Sequence, residues 1–256
     1  MGLIDDLLTS ALQGEVLDVR IGLHWTAVVA QVGGQRRCGL ASTLYGSDEH
    51  TGEPDLPEAG RLATYAGLEL ASLLRSERPL HRSVGGAALN ALLPLQLGEW
   101  PAQNAEQVIA SLGAGKTIAI VGRFPFARRI GHLAKELLVL ERNPRPGELP
   151  ETAAADVIPR ADLLAITGMT LLNHTLEELL SLAAPEATVL VVGPTTPLSP
   201  ILFEYGTHML SGSVVTNIEA VTAAVSQGAN FRQVHKAGVR LVNLCRHDWL
   251  NRQGSG

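Results

Sequence analysis

The side chains best suited to chemistry lie in short polar stretches that follow apolar runs. The longest is 193–200, GPTTPLSP. Its prolines, Pro194 among them, restrict φ and pre-set the loop. Gly193 lets the backbone come close to a ligand, and Thr195, Thr196 and Ser199 offer hydroxyls. A stiff loop of donors loses little entropy on binding an anion or a polar ring system. The same stretch also reads as a proline-rich turn that starts a helix at Ile201. A second cluster, Thr167-Gly168-Met169-Thr170 with Asn173 and His174 behind it, would supply hydroxyls, an amide and open N–H groups at a helix start. Its other reading is helix capping by Thr170 or Asn173. A lone His174 on a Leu-rich helix reads as surface or core more readily than as a ligand. A third, Ser211-Gly212-Ser213, puts a glycine inside a strand pattern, the mark of a bulge or a close approach.

Two further stretches resemble nucleotide motifs. GAGKT at 113–117 has the letters of a phosphate loop's end, but it leads into a strand rather than out of one, so it reads as a turn. GRFPF at 122–126 stands where a dinucleotide fold puts its glycine-rich turn. It has Gly122 alone instead of three glycines, and Phe124 and Pro125 obstruct a pyrophosphate. NAD binding in the usual mode is therefore disfavoured. Arg123 could still meet an anion, and Phe124 and Phe126 could pack the loop onto a neighbouring domain. Glu141 ends the next strand, about 20 residues on, where a carboxylate accepts hydrogen bonds from a ribose or another diol. It reads equally as a solvated acid near Arg142 or Arg145.

In the first half, His24-Trp25 inside a strand pattern could face a cleft, with Thr43 and Tyr45 after the return strand. His24 reads as a base, a metal ligand or a packed core residue. No H-x-x-H, C-x-x-C or H-E-x-x-H spacing occurs, so no metal ligands are assigned. No G-x-S-x-G elbow occurs either, which argues against a hydrolase nucleophile of that type.

The elements that must position these residues change character near residue 100. Before it come a short amphipathic helix at 5–12, strands across 15–30 and 36–42 joined by Gly33-Gly34, a strong hairpin signal, and helices at 61–74 and 83–93. A polar loop falls at 46–59 and a linker at 96–103. After it, helices at 105–112, 127–135, 172–182 and 218–226 alternate with strands at 117–121, 137–141, 162–167, 188–192 and 209–215. Segment 231–246 is ambiguous between helix and strand. Near-continuous apolar strands alternating with helices predict an α/β fold with a buried, mostly parallel sheet. We expect a small domain over 1–98 and a larger one over 99–256. The polar stretches from 122 onward then fall at carboxyl ends of strands, where open parallel sheets bind ligands.

The 256 residues carry a net charge of −5 and 4% aromatics. That disfavours nucleic acid, which needs basic patches and stacking platforms. No apolar run reaches membrane-spanning length, and the start, with Asp5 and Asp6 and no basic flank, is unlike a signal peptide. Two distant cysteines, Cys38 and Cys245, read as reduced thiols of a cytoplasmic protein. A homodimer is compatible with the chain, with no interface patch legible.

The segments VGRFPF, ITGMTLLNHTLEELL, VVGPTTPLSPILFEYG and LSGSVV resemble the C-terminal domain of the putative heavy-metal chelation family. GLHWTAV and GLAST resemble that family's N-terminal partner. The resemblance implies a Rossmann-like large domain, a small α+β domain similar to the N-terminal domain of enolase, and a site in the cleft between them. It implies site roles for His24, Trp25, Thr43, Gly122, Phe124, Glu141, Thr167, Asn173, Gly193, Thr195, Thr196, Ser199 and Ser213. Few soft ligands are present, so a metal enclosed in an organic chelate fits better than one bound directly. The expected function is thus binding or processing of a polar, anionic, ring-bearing small molecule or its metal complex, with His24 and Glu141 as acid/base candidates. The alternatives are a non-catalytic metal or chelate carrier and, on fold alone, a nucleotide-dependent oxidoreductase or transferase. The sequence identifies no cofactor.

Overall fold

The computed structural model describes residues 2–46, 54–94, 104–247 and 249; the linker expected at 96–103 lies outside them. In chain order the strands are β1 (Glu15–Ile21), β2 (Trp25–Val32), β3 (Gln35–Ser42), β4 (Thr117–Val121), β5 (Glu136–Glu141), β6 (Leu149–Pro150), β7 (Leu163–Thr167), β8 (Thr188–Val192), β9 (Met209–Val215) and β10 (Val239–Cys245). The helices are α1 (Leu3–Ser10), α2 (Gly67–Ser72), α3 (Pro79–Leu92), α4 (Ala105–Gly113), α5 (Ala127–Gly131), α6 (Ala154–Val157), α7 (Met169–Leu172), α8 (Leu176–Ser181), α9 (Ile218–Ser226) and α10 (Phe231–Gly238). The chain forms two compact units. Met1–Leu97, Pro197–Ser199 and Ser213–Leu241 make the first, and Gly98–Thr196, Pro200–Gly212 and Val242–Gly256 the second. No helix among the described residues is long and apolar enough to cross a membrane.

The first unit is built on the antiparallel sheet β1-β2-β3. Gly33 and Gly34, at φ +55° and +79°, make the two-residue turn between β2 and β3, because that turn needs a positive φ at both positions. Successive side chains on a strand point to opposite faces. Trp25 and Ala27 of β2 and Leu40 of β3 form one core with Val221, Val225 and Val234 of α9 and α10. Gly39, whose register partner is Val28, meets the backbone of α3 at Ala87 and Ala91. The sheet is thus covered on both faces. This explains why β2 reads as WTAVVAQV, with almost every residue buried, instead of alternating.

A polar cluster ties the segment before α2 to the start of α3. Buried His81 hydrogen-bonds the Ser76 hydroxyl through Nδ1 (2.9 Å) and the Glu58 carboxylate through Nε2 (2.9 Å). The His81 bond holds the Glu58 carboxyl below its ordinary range. A depressed carboxyl contributes stability above its unfolded value, and that contribution disappears as pH falls through the lower, folded value. Below the ordinary 4.5, the wild type should therefore lose melting temperature faster than Glu58→Gln. Parallel curves from pH 6 to 3, measured by circular dichroism on both proteins, would remove His81–Glu58 from the acid response.

The second unit carries most of the larger sheet, ordered β10-β9-β8-β7-β4-β5-β6. The pairs β6–β5, β5–β4, β4–β7, β7–β8 and β8–β9 are all parallel, so the protein is α/β. Its core joins Ile118 and Ile120 of β4, Ala165 of β7, Leu190 and Val192 of β8, and Ile109 of α4. Three expectations change here. The helix expected at 127–135 stops at Gly131, and Leu133 is exposed. The helix expected at 172–182 is two helices, because His174 takes φ +60° between α7 and α8, a left-handed conformation that ends a helix. The ambiguous 231–246 resolves into α10 followed by β10. There Asn230 caps the helix by accepting from Gln233 N–H, while Gly238, at φ +135°, turns the chain into the strand.

Candidate functional site

Strand order sets the site. From central β4 the chain moves to β5 and β6 on one side, then returns to β7 on β4's other side and continues to β8 and β9. The loops after β4 and β7 consequently leave in opposite directions. Such a switch point opens a crevice beyond the carboxyl ends of the strands. A cavity of about 520 Å³ lies there. Val121, Gly122 and Arg123 enter it from the end of β4, Leu140, Glu141 and Arg142 from the end of β5, and Thr167, Met169 and Thr170 from the end of β7. Asn173, Glu178, Leu179 and Leu182 close it from the α7–α8 side, and Glu151, Thr152, Ala154 and Ala155 from the segment after β6.

The turn after β4 needs its glycine twice. Gly122 has φ +101°, and a Cβ there would stand 2.7 Å from Thr167 Cγ2. Its N–H donates to Leu140 O at 2.9 Å, and the N–H of Gly168 donates to Val192 O at the same distance. Each strand end is therefore stitched to its neighbour by one more backbone bond just as the side chains turn toward the cavity.

Both lining guanidinium groups are already paired. Arg123 donates to both oxygens of Glu148, at 2.9 and 3.4 Å, and to Asn143 O at 3.0 Å. The Glu148 hydrogen bond, with smaller charge contributions from Glu141 and Glu148, holds Arg123 firmly protonated. Reciprocally, Arg123, with a second bond from the Arg145 N–H, depresses the Glu148 carboxyl. Arg142 donates to Glu151 at 3.0 Å. By contrast, the side chains of Glu141, Asn173 and Glu178 make no hydrogen bond to another described residue. With the hydroxyls of Thr152 and Thr167, they are polar groups left for a ligand.

Of the residues singled out from sequence, the cavity gathers Gly122, Glu141, Thr167 and Asn173. The others lie elsewhere. Phe124 stacks on Phe126 with ring centroids 5.0 Å apart, and both pack against the second unit's own core. Gly168 backs onto Thr196, whose N and Oγ1 would each stand 2.6 Å from a Cβ at Gly168. Thr195, Thr196 and Ser199 are 3, 2 and 1% exposed, while Gly193 and Pro194 are half-buried and outside the cavity lining. Gly212 and Ser213 belong to β9. In the first unit, Thr43 Oγ1 pairs with Thr26 and donates to Gly22 O. Trp25 is buried 5.8 Å from the Phe231 ring, and His24 is an exposed turn residue.

Sequence reasoning missed Val121, Leu140, Arg142, Glu151, Thr152, Ala154, Ala155, Thr175, Glu178, Leu179 and Leu182. For Glu178, Leu179 and Leu182 a signal existed: the polar Asn173-His174 pair breaks the helix before them. Nothing local marks the residues after β6. The thiols offer little to a soft metal. Desolvation, with the Asp18 charge adding to it, pushes Cys38 up to about 12, and desolvation pushes Cys245 up to about 11. The thiolate is the ligating form. No group of three or more His, Cys, Asp or Glu placed to hold a metal ion occurs among the described residues.

Fold and cavity together define an α/β protein whose open, mostly parallel sheet carries a small-molecule-sized cavity at its switch point. The chain belongs to the family described as "Putative heavy-metal chelation": the DUF364 model matches residues 104–243 and the DUF4213 model, with the same description, matches 4–93. It is similar to an uncharacterized protein of Methanocaldococcus jannaschii, 27% identical over 209 residues, 78% of this chain and 79% of that one. Two crystal structures of DUF364 proteins of unknown function share the fold. The Desulfitobacterium hafniense protein has a TM-score of 0.76 at 25% identity, and the Pyrococcus horikoshii protein 0.75 at 23%. Each match covers 95% of this chain and 98% of the other.

Proposed function

We propose that the switch-point cavity binds a polar small molecule, and that this chain handles the heavy metal of the family description through an organic chelator and not through its own side chains. The observation that carries the reading is the convergence of Glu141, Asn173 and Glu178, uncommitted to other side chains, on a 520 Å³ cavity within the usual range for ligand sites. The raised thiols of Cys38 and Cys245 support a chelate over a metal held by the protein itself. A stoichiometric carrier is the second reading. It is favoured by a lining that holds no His, Cys, Ser or Lys among the described residues, which leaves carboxylates, Glu141 and Glu178 foremost, as the acid/base candidates within the cavity.

Metal analysis and mass spectrometry of the protein purified without added metal, followed by a thermal-shift screen of chelators and their complexes, test the proposal. Asn173→Ala should weaken the ligand found by tenfold or more and leave folding within about 0.5 kcal/mol, as for other half-exposed polar positions. Thr195→Ala should do the reverse, keeping the ligand while losing about 1–3 kcal/mol of stability from a buried hydroxyl position. The opposite pattern would move the site to the 193–200 loop.

A further inference from the structure

We infer that this cavity recognises a ring-borne vicinal diol with both hydroxyl protons in place, a chemistry shared by ribonucleosides and metal-free catechols. The inference rests on the cavity being the ligand site, and it goes further by fixing the ligand's charge and donor pattern.

The lining has few cationic groups left to give. Arg123 and Arg142 are committed to Glu148 and Glu151 at 2.9 and 3.0 Å. The remaining side chains are the carboxylates of Glu141 and Glu178, the amide of Asn173 and the hydroxyls of Thr152 and Thr167, none of them cationic. Ionised carboxylates only accept hydrogen bonds. A ligand rich in hydroxyl donors satisfies them, whereas an anion meets two negative charges with no free cation to offset them.

The turn after β4 has no seat for phosphate. Pro125 has no N–H, Phe124 packs into the core against Phe126, and α5, which follows, has only five residues. Dinucleotide sites need a run of close backbone N–H groups there. What remains of that arrangement is the acid. Glu141 ends β5, the strand beside β4, where a carboxylate can accept from two adjacent hydroxyls at once.

Leu140, Ala154, Ala155, Met169, Leu179 and Leu182 offer apolar surface to a ring. Binding a metal strips a catechol of both hydroxyl protons and makes it anionic, which removes the donors and adds the wrong charge. The cavity therefore suits the chelator before it is loaded.

Titration calorimetry on the full chain decides the matter. The probes are the four common ribonucleosides, their 2′-deoxy analogues, 2,3-dihydroxybenzamide, 3-hydroxybenzamide and the gallium(III) complex of the dihydroxy compound. One diol class should bind with one-to-one stoichiometry, with its monohydroxy analogue at least about tenfold weaker, the usual cost of an unmade hydrogen bond to a charged group. Glu141→Gln should weaken that diol about tenfold at an unchanged melting temperature, and the gallium complex should bind less tightly than the free catechol. Whether the nucleoside or the catechol responds identifies the source. Three results overturn the inference: no diol binding up to millimolar concentration, equal affinity for the monohydroxy analogue, or tighter binding of the gallium complex. If the chelator screen yields a ligand dependent on Asn173 while no diol binds, this inference falls and the site reading stands. If no compound depends on Asn173, both fall.

Discussion

Gly122→Ala should cost about 3 kcal/mol of stability and abolish ligand retention in the cavity. Two independent penalties meet at this position. Its φ of +101° lies where L side chains are strained, typically by about 1–3 kcal/mol. The new methyl would also stand 2.7 Å from Thr167 Cγ2 and 2.9 Å from Thr167 Cβ, and forcing a methyl into a packed site costs a further ~1–3 kcal/mol. A double substitution separates the two. Thr167→Ser removes Cγ2 and should return part of the loss in the Gly122→Ala background, while the backbone strain remains. Gly122 and Thr167 also face one another across the β4–β7 step that opens the cavity. The clash should therefore widen that step and displace Glu141, whose strand is held to Gly122 through the Leu140 carbonyl at 2.9 Å. Denaturant melts of the four proteins of this cycle, with ligand retention read on each, check the prediction. An alanine variant as stable as the wild type would mean that the β4 turn can relax without strain.

How much of this was legible in the sequence depends on what a residue's role requires. Strands β4, β5, β7, β8 and β9 showed themselves because a buried parallel strand is mostly apolar, as TIAIV and TVLVV are, whereas two-residue β6 and β10 did not. Glycines that end them also showed, because the chain must turn there. The placement of hydroxyls did not. Thr195, Thr196 and Ser199 look like ligand donors in one dimension, yet all are buried, and the Thr196 Oγ1 has no hydrogen-bond partner among the described residues. A hydroxyl that meets a ligand and one packed inside a loop leave the same letter in the sequence. The expectation of an anionic ligand came from that loop and from Arg123. The pairing of Arg123 bears on that expectation, yet its partner Glu148 lies 25 positions away, and no local pattern announces it. Glu141 was legible for the opposite reason: its meaning comes from its place at a strand end, which the alternation of elements already fixes.

The second large effect belongs to the first unit, where α3 sits directly on the sheet. Gly39→Ala should destabilise by about 4 kcal/mol or more, the range reached when packed backbone is forced apart and a large part of a typical domain's total. A Cβ at Gly39 would stand 2.1 Å from Ala87 O and 2.3 Å from Ala91 N. These are backbone atoms of a helix, so no rotamer change can clear them. The helix would have to lift, and lifting breaks the bond from Asn90 Nδ2 to Leu40 O, now 2.9 Å. It would also disturb the second close approach of α3, at Gly85, where a Cβ would stand 2.1 Å from Leu74 N. Two controls make the cause visible. Gly33→Asn, at φ +55° with nothing within 4 Å of a Cβ, should change stability by less than about 1 kcal/mol, since asparagine tolerates this conformation. Ala87→Gly in the Gly39→Ala background should give no rescue, because the clash is with a carbonyl oxygen that glycine also carries. Rescue by that change would show that side chains, and not the helix backbone, set the spacing between α3 and β3.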